Sequence, residues 1–174
     1  MTKKAKLIID GKEIEVEITQ EQLDKLCPSK KKTGYERATL VDNTYYGDNG
    51  GGFVGDYRDL FPESDGGNNA YRAANYYTSK EVAENNARAD KLMRQLRRFA
   101  VEHREKELDW VENNCSNKYK IAFDHDEKDM RVDSNQYMQL YGAIYFDTKE
   151  TAQLAIDTFK DELLWYFKEY KDSL

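Results

Sequence analysis

The chain has 174 residues, 39% of them hydrophobic and 34% charged, with 13 Tyr and a net charge of −6. That length suits one ordinary domain or a small domain with an appendage, and the 13% aromatic content argues against a wholly disordered polymer. No apolar run approaches the roughly 20 residues of a membrane span, and no apolar signal core follows the basic Met1–Lys6, so a cytosolic location is expected.

Lys6 to Ile18 reads as a β-hairpin. Leu7, Ile8 and Ile9 form a short apolar run, and Asp10-Gly11 is a two-residue turn signal. Ile14, Val16 and Ile18 then alternate with Glu13, Glu15 and Glu17, which predicts a strand with one wet face. Thr19 and Gln22 have capping-box spacing, so a short helix is expected over about residues 20–26, ended by Pro28. Residues 29–75 read as an irregular Gly/Asn-rich linker. Short strands are expected at Leu40-Val41, Tyr45-Tyr46 and Phe53-Val54, around the loop Gly47 to Gly52, and Ser64 to Asn69 reads as a second loop.

Thr78 and Glu81 match a capping box. Val82, Ala89, Leu92, Leu96 and Phe99 then trace one face of a helix over about residues 79–106, roughly 40 Å long. Three strands are expected next, at Tyr119–Phe123, Met130–Asp133 and Gly142–Phe146, the first two joined by the acidic turn Asp124 to Asp129. Asp147 or Thr148 caps a last helix whose apolar stripe is Ala152, Ile156, Phe159, Leu163, Phe167 and Tyr170. The expected fold class is α+β. A β-hairpin with a short helix (1–28) precedes the linker (29–75), and an α-β-β-β-α domain follows (76–174), with a small antiparallel sheet and two helices on one face.

Charge is sorted along the chain. From Glu107 to Leu174 there are 15 acidic and 8 basic residues, a net of −7, whereas Ser79 to Lys106 holds 8 basic and 5 acidic, a net of +3. The acidic block carries Asp124, Asp126, Glu127, Asp129 and Asp133, interleaved with Tyr119, Tyr137, Tyr141 and Tyr145. Carboxylates with aromatic anchors suit a basic protein surface, because charge steers encounter and Tyr supplies contact energy. The competing expectation is that the acidity confers solubility and the tyrosines are core.

Lys91, Arg94 and Arg98 project from the polar face of the long helix, the alternative site, where they would meet nucleic acid. The helix and strand order is similar to that of double-stranded-RNA-binding domains. The basic motif of their last helix is missing, with Thr148-Lys149-Glu150-Thr151-Ala152 in its place.

Chemistry of its own is not expected. His103 and His125 are the only histidines, and no nucleophile elbow, His-Glu-x-x-His pair or P-loop is present. The turn Asp124 to Asp129 departs from a calcium loop, with Lys128 at the third ligand position and Asn135 at the twelfth. No cofactor or metal is therefore expected. Cys27 and Cys115 lack metal-like spacing and read as reduced thiols.

The segments Gly11 to Ile18, Lys32 to Arg37, Arg98 to His103, Gly142 to Phe146 and Asp161 to Phe167 resemble a group of small acidic proteins of phages and prophages of Gram-positive bacteria. Some proteins of this kind are inhibitors of bacterial defence, including anti-CRISPR proteins that block the guide-RNA nuclease Cas9. The resemblance implies a phage-encoded anti-defence protein in the cytoplasm of the infected host, with a Cas9-type nuclease as partner, bound stoichiometrically as an acidic nucleic-acid mimic. It implies no catalytic residue.

Overall fold

The structure is a computed structural model that describes residues 2–9, 12–19, 21, 22, 25, 32–38, 42–59, 65–110 and 116–171. The chain is α+β and divides into two compact units, Met1–Thr33 and Gly34–Leu174.

In the first unit, β1 (Thr2–Ile9) pairs antiparallel with β2 (Lys12–Thr19). The register sets Leu7 opposite Ile14 and Ala5 opposite Val16. Glu15 and Glu17 are exposed between the half-buried Val16 and Ile18. The expected capping box forms: Thr19 N–H donates to the Gln22 side chain at 2.9 Å, and Gln22 N–H donates to Thr19 Oγ1 at 3.2 Å. Residues 21, 22 and 25 are helical. The turn at 10–11, Cys27, Pro28 and the expected strand at 40–41 lie outside the described residues, as does Cys115.

The second unit begins with a hairpin, β3 (Thr44–Asp48) on β4 (Val54–Arg58), followed by α1 (Asp65–Arg72). Residues 65–69 are thus helical, not the loop their glycines and asparagines suggest. The cause is tertiary. Asp59, only 3% exposed, accepts from Arg37 Nε at 3.0 Å, Arg37 Nη2 at 3.3 Å and the Tyr76 hydroxyl at 2.9 Å. Gly67 packs so closely on this carboxylate that a Cβ there would lie 2.4 Å from Asp59 Oδ1. Tyr45 stacks on Tyr76 at 4.2 Å, Tyr57 on Tyr45 at 5.3 Å, and Tyr71 meets Tyr76 edge-on at 5.5 Å. A paired backbone bridge between Tyr46 and Tyr77 (2.8 and 2.9 Å) ties this hairpin to the start of the long helix.

That helix, α2 (Lys80–Glu102), is capped by Ser79, whose hydroxyl accepts from Val82 N–H at 3.4 Å. The cap is one residue later than expected, and the helix ends four residues sooner. β5 (Lys118–Asp124) and β6 (Asp129–Asn135) form a hairpin, and α3 (Lys149–Thr158) and α4 (Lys160–Lys168) complete the unit. Thr148 caps α3, accepting from Thr151 N–H at 3.1 Å. Leu92, Leu96 and Phe99 of α2, Met130 of β6, Phe146, Ala152 and Ile156 of α3 and Leu163 of α4 make one core. Tyr119, Ile121, Phe123 and Val132 cover it from the inner face of the hairpin.

Two expectations are corrected here. Gly142–Phe146 is not a strand: only Phe146 reaches the sheet, exchanging backbone bonds of 2.9 and 2.7 Å with Tyr119. Gly142 adopts φ +77, which an extended strand cannot continue through. The last helix is also two helices, because Phe159 (φ −110, ψ 22) breaks the ladder while the apolar stripe runs on through Leu163.

Candidate functional site

The tip of the β5–β6 hairpin is built by one carboxylate. Asp124 Oδ1 accepts from the N–H groups of Asp126 (3.0 Å) and Glu127 (3.2 Å), and Arg131 Nη1 donates to Asp124 Oδ2 at 2.7 Å. The amides of Glu127 and Asp126, then the Arg131 charge, hold the Asp124 carboxyl below the usual range despite some desolvation. Lys128 takes the left-handed conformation, φ +57, which closes the turn. Asp129 accepts from Met130 N–H at 2.8 Å. Asp126, Glu127 and Asp129 are left as exposed carboxylates on this ordered tip.

The outer face of the hairpin is not acidic in the way the linear count suggests. Asp133 pairs with Lys120 directly across the strands, and that hydrogen bond, against partial burial, lowers the Asp133 pKa. Two of the five expected contact carboxylates, Asp124 and Asp133, are therefore spent on neighbouring cations. Elsewhere Glu162 receives two bonds from Arg88, at 2.8 and 3.1 Å, and the guanidinium lies 3.9 Å over the Trp165 ring. Asp147 Oδ2 accepts from Glu105 and Lys106 N–H, at 2.7 and 2.9 Å, anchoring the chain just after α2.

The four tyrosines part company. Tyr145 is buried, which corrects its reading as a contact residue: its hydroxyl accepts from Leu140 N–H at 2.8 Å and donates to Met138 O at 3.3 Å. Its ring meets Trp110 edge-on at 4.9 Å. Tyr119 is half-buried on the core. Tyr137 and Tyr141 are exposed, but they follow β6 at the end away from the tip, roughly 20 Å off at about 3.3 Å per strand residue. The tip and the tyrosine loop are thus two surfaces, not one.

The alternative basic face is compensated locally. Arg94 Nη2 lies 3.7 Å from Asp48 Oδ2, Arg98 Nε lies 3.6 Å from Glu102, and Lys91 packs its methylenes over Gly52. The glycine loop between β3 and β4 holds no place for a phosphate, since Asp48 Oδ1 already accepts from Gly50 and Gly52 N–H, each at 3.0 Å. His103 stacks on Phe99 at 3.9 Å and bonds its carbonyl through Nδ1 at 3.0 Å; His125 meets Phe123 edge-on at 5.1 Å. Among the described residues, no group of three or more His, Cys, Asp or Glu could hold a metal ion. Among them, too, no helix is long and apolar enough to cross a membrane.

Asp48 and Asp59 were not evident from the sequence alone, nor were the distant partners of Arg88 and Asp147. Reading the sequence also missed Met138 and Leu140, exposed beside Tyr137 and Tyr141. A signal for the last two existed: residues 134–146 contain no charged side chain in a chain that is 34% charged. Comparison with protein-family models, with curated proteins and with solved structures finds no match to this chain.

Proposed function

We propose that this protein acts by stoichiometric binding, without chemistry of its own, and that the β5–β6 tip meets a basic protein surface. The observation that carries the reading is the exposure of Asp126, Glu127 and Asp129 on a turn held by Asp124. Preorganised carboxylates lose little freedom on docking, and a net charge of −6 speeds encounter with a cationic groove. The resemblance to phage and prophage proteins supplies the specific version. The protein is a phage-encoded anti-defence factor that inhibits a Cas9-type nuclease in the cytoplasm of the infected host. Such nucleases hold nucleic acid in a positively charged channel and read a short duplex motif with arginines, so carboxylates spaced along a turn can stand in for phosphates there. Cleavage by purified Cas9, guide and target in the presence of this protein is the test. Inhibition saturating near one equivalent is expected, and full cutting at large excess removes the Cas9 version.

A further inference from the structure

The loop after β6 does what a solvated loop should not. Tyr137 is 72% exposed, Met138 66%, Leu140 43% and Tyr141 107%, although polar residues would cost nothing there. The loop is also firmly held. Both Leu140 N–H and Met138 O bond the Tyr145 hydroxyl, Ala143 N–H donates to Leu140 O at 3.3 Å, and Gly142 closes the turn at φ +77. Beside it the departure of residues 142–144 from β5 leaves a cavity of about 340 Å³, floored by Leu96, Phe146, Leu163 and Phe167 and rimmed by Leu140 and Tyr141 themselves. An apolar projection and a mostly apolar hollow, with Lys120 and Tyr166 also in its lining, therefore lie side by side on one surface.

We infer that this surface joins two copies of the chain, Tyr141 of each copy entering the cavity of the other about a two-fold axis. An isologous contact requires one patch to carry both complementary halves, and this patch does. A cavity of roughly 150 Å³ admits a benzene ring, so the hollow has room for a phenol. Aromatic side chains bury roughly 150–250 Å² each. The exposed parts of the four residues thus amount to roughly 500 Å² per copy and about 1,000 Å² per pair, the lower bound of a specific interface. Copies that each carry −6 repel least where the contacting surface is itself uncharged, and residues 134–146 are a long uncharged run of this sequence. The acidic tips lie away at the far end of β6, so a dimer would carry two of them and could bind a repeated or extended basic surface with avidity. The inference goes beyond the proposed function and does not depend on it.

Sedimentation velocity on the full chain, from low micromolar to several hundred micromolar, tests it without any partner protein. Wild type should move from monomer to dimer with a micromolar dissociation constant. Tyr141→Ser should weaken the dimer at least tenfold while leaving the far-UV spectrum unchanged, and the thermal midpoint unchanged at concentrations where both proteins are monomeric, because the side chain is fully exposed. Tyr137→Ser should act in the same direction. A wild type that stays monomeric throughout overturns the inference, as does a dimer indifferent to Tyr141→Ser. Loss of nuclease inhibition in Tyr141→Ser, with wild type monomeric, would likewise overturn it and assign the loop to a different protein.

Discussion

Asp59→Ala should unfold the first half of the larger unit at much lower denaturant than wild type. The carboxylate is 3% exposed and serves Arg37 through two nitrogens and Tyr76 through its hydroxyl. Removing it leaves the Tyr76 O–H without that acceptor, a loss of about 1–3 kcal/mol for a buried donor. Arg37 also loses its two bonds to that carboxylate. The Arg37 side chain is 26% exposed and can turn to water, so the tyrosine hydroxyl sets the scale of the loss. A loss of about 1–3 kcal/mol follows, and with a urea m-value of about 2 kcal/mol/M the midpoint should fall by about 0.5–1.5 M. Urea unfolding followed by tyrosine fluorescence and far-UV dichroism measures it. Gly67 provides an internal control. In wild type, Gly67→Ala forces a Cβ to 2.4 Å from Asp59 Oδ1 and should destabilise. In the Asp59→Ala background the clash is gone, and the better helix propensity of Ala, worth about 1 kcal/mol, should make the same change neutral or stabilising. A midpoint shift equivalent to less than about 1 kcal/mol, the value of an exposed pair, would refute the reasoning that this network closes the fold around α1.

Three further outcomes are expected. Tyr145→Phe should cost about 1–2 kcal/mol, since Leu140 N–H and Met138 O both lose a partner, and should raise amide exchange at Leu140 before it affects the core; unchanged exchange there would mean that the loop is held by something else. Burial pushes the Tyr76 and Tyr77 hydroxyls up to about 12 and raises that of Tyr45 as well, so these three tyrosines should lag in an ultraviolet titration; stability should be full below the ordinary value of about 10 and fall as pH rises toward 12. Burial pushes the Asp147 carboxyl up, but the amides of Lys106 and Glu105 outweigh it and hold the pKa below the usual range. Its stabilisation is therefore present above the ordinary carboxylate pKa and lost as pH falls, and Asp147→Ala should cost about 1 kcal/mol at neutral pH and progressively less toward about pH 3, as unfolding midpoints at the two pH values will report.

What was legible in the sequence was periodic or punctuated. The β1–β2 hairpin showed in the alternation of Glu with Ile and Val, α2 in the spacing of Val82, Leu92, Leu96 and Phe99, and α3 in the Thr148 cap. What was not legible depended on partners far along the chain. Asp65 to Arg72 has poor helix formers, and its helix exists beside a carboxylate that only the fold brings to Gly67. The third strand fails because Tyr145 ties the preceding loop and Gly142 turns it, neither of which alternation reveals. The break at Phe159 carries no Gly or Pro and leaves the stripe in phase, so nothing local announces it. Charge was the most misleading guide to the candidate site. Arg88 with Glu162 and Arg94 with Asp48 join blocks that a linear count treats as separate, and Lys120 with Asp133 cancels within one block. Of the five candidate carboxylates, Asp126, Glu127 and Asp129 are what remains once Asp133 is paired with Lys120 and Asp124 with Arg131.

The most direct test of the account is the rate at which this protein associates with, and inhibits, a Cas9–guide complex when Asp126, Glu127 and Asp129 are all changed to Lys. Association is expected to slow by at least tenfold at low salt, to converge with wild type as salt rises, and not to slow on reversal of Lys91, Arg94 and Arg98. Equal rates and equal inhibition for wild type and the triple variant at every salt concentration would contradict it.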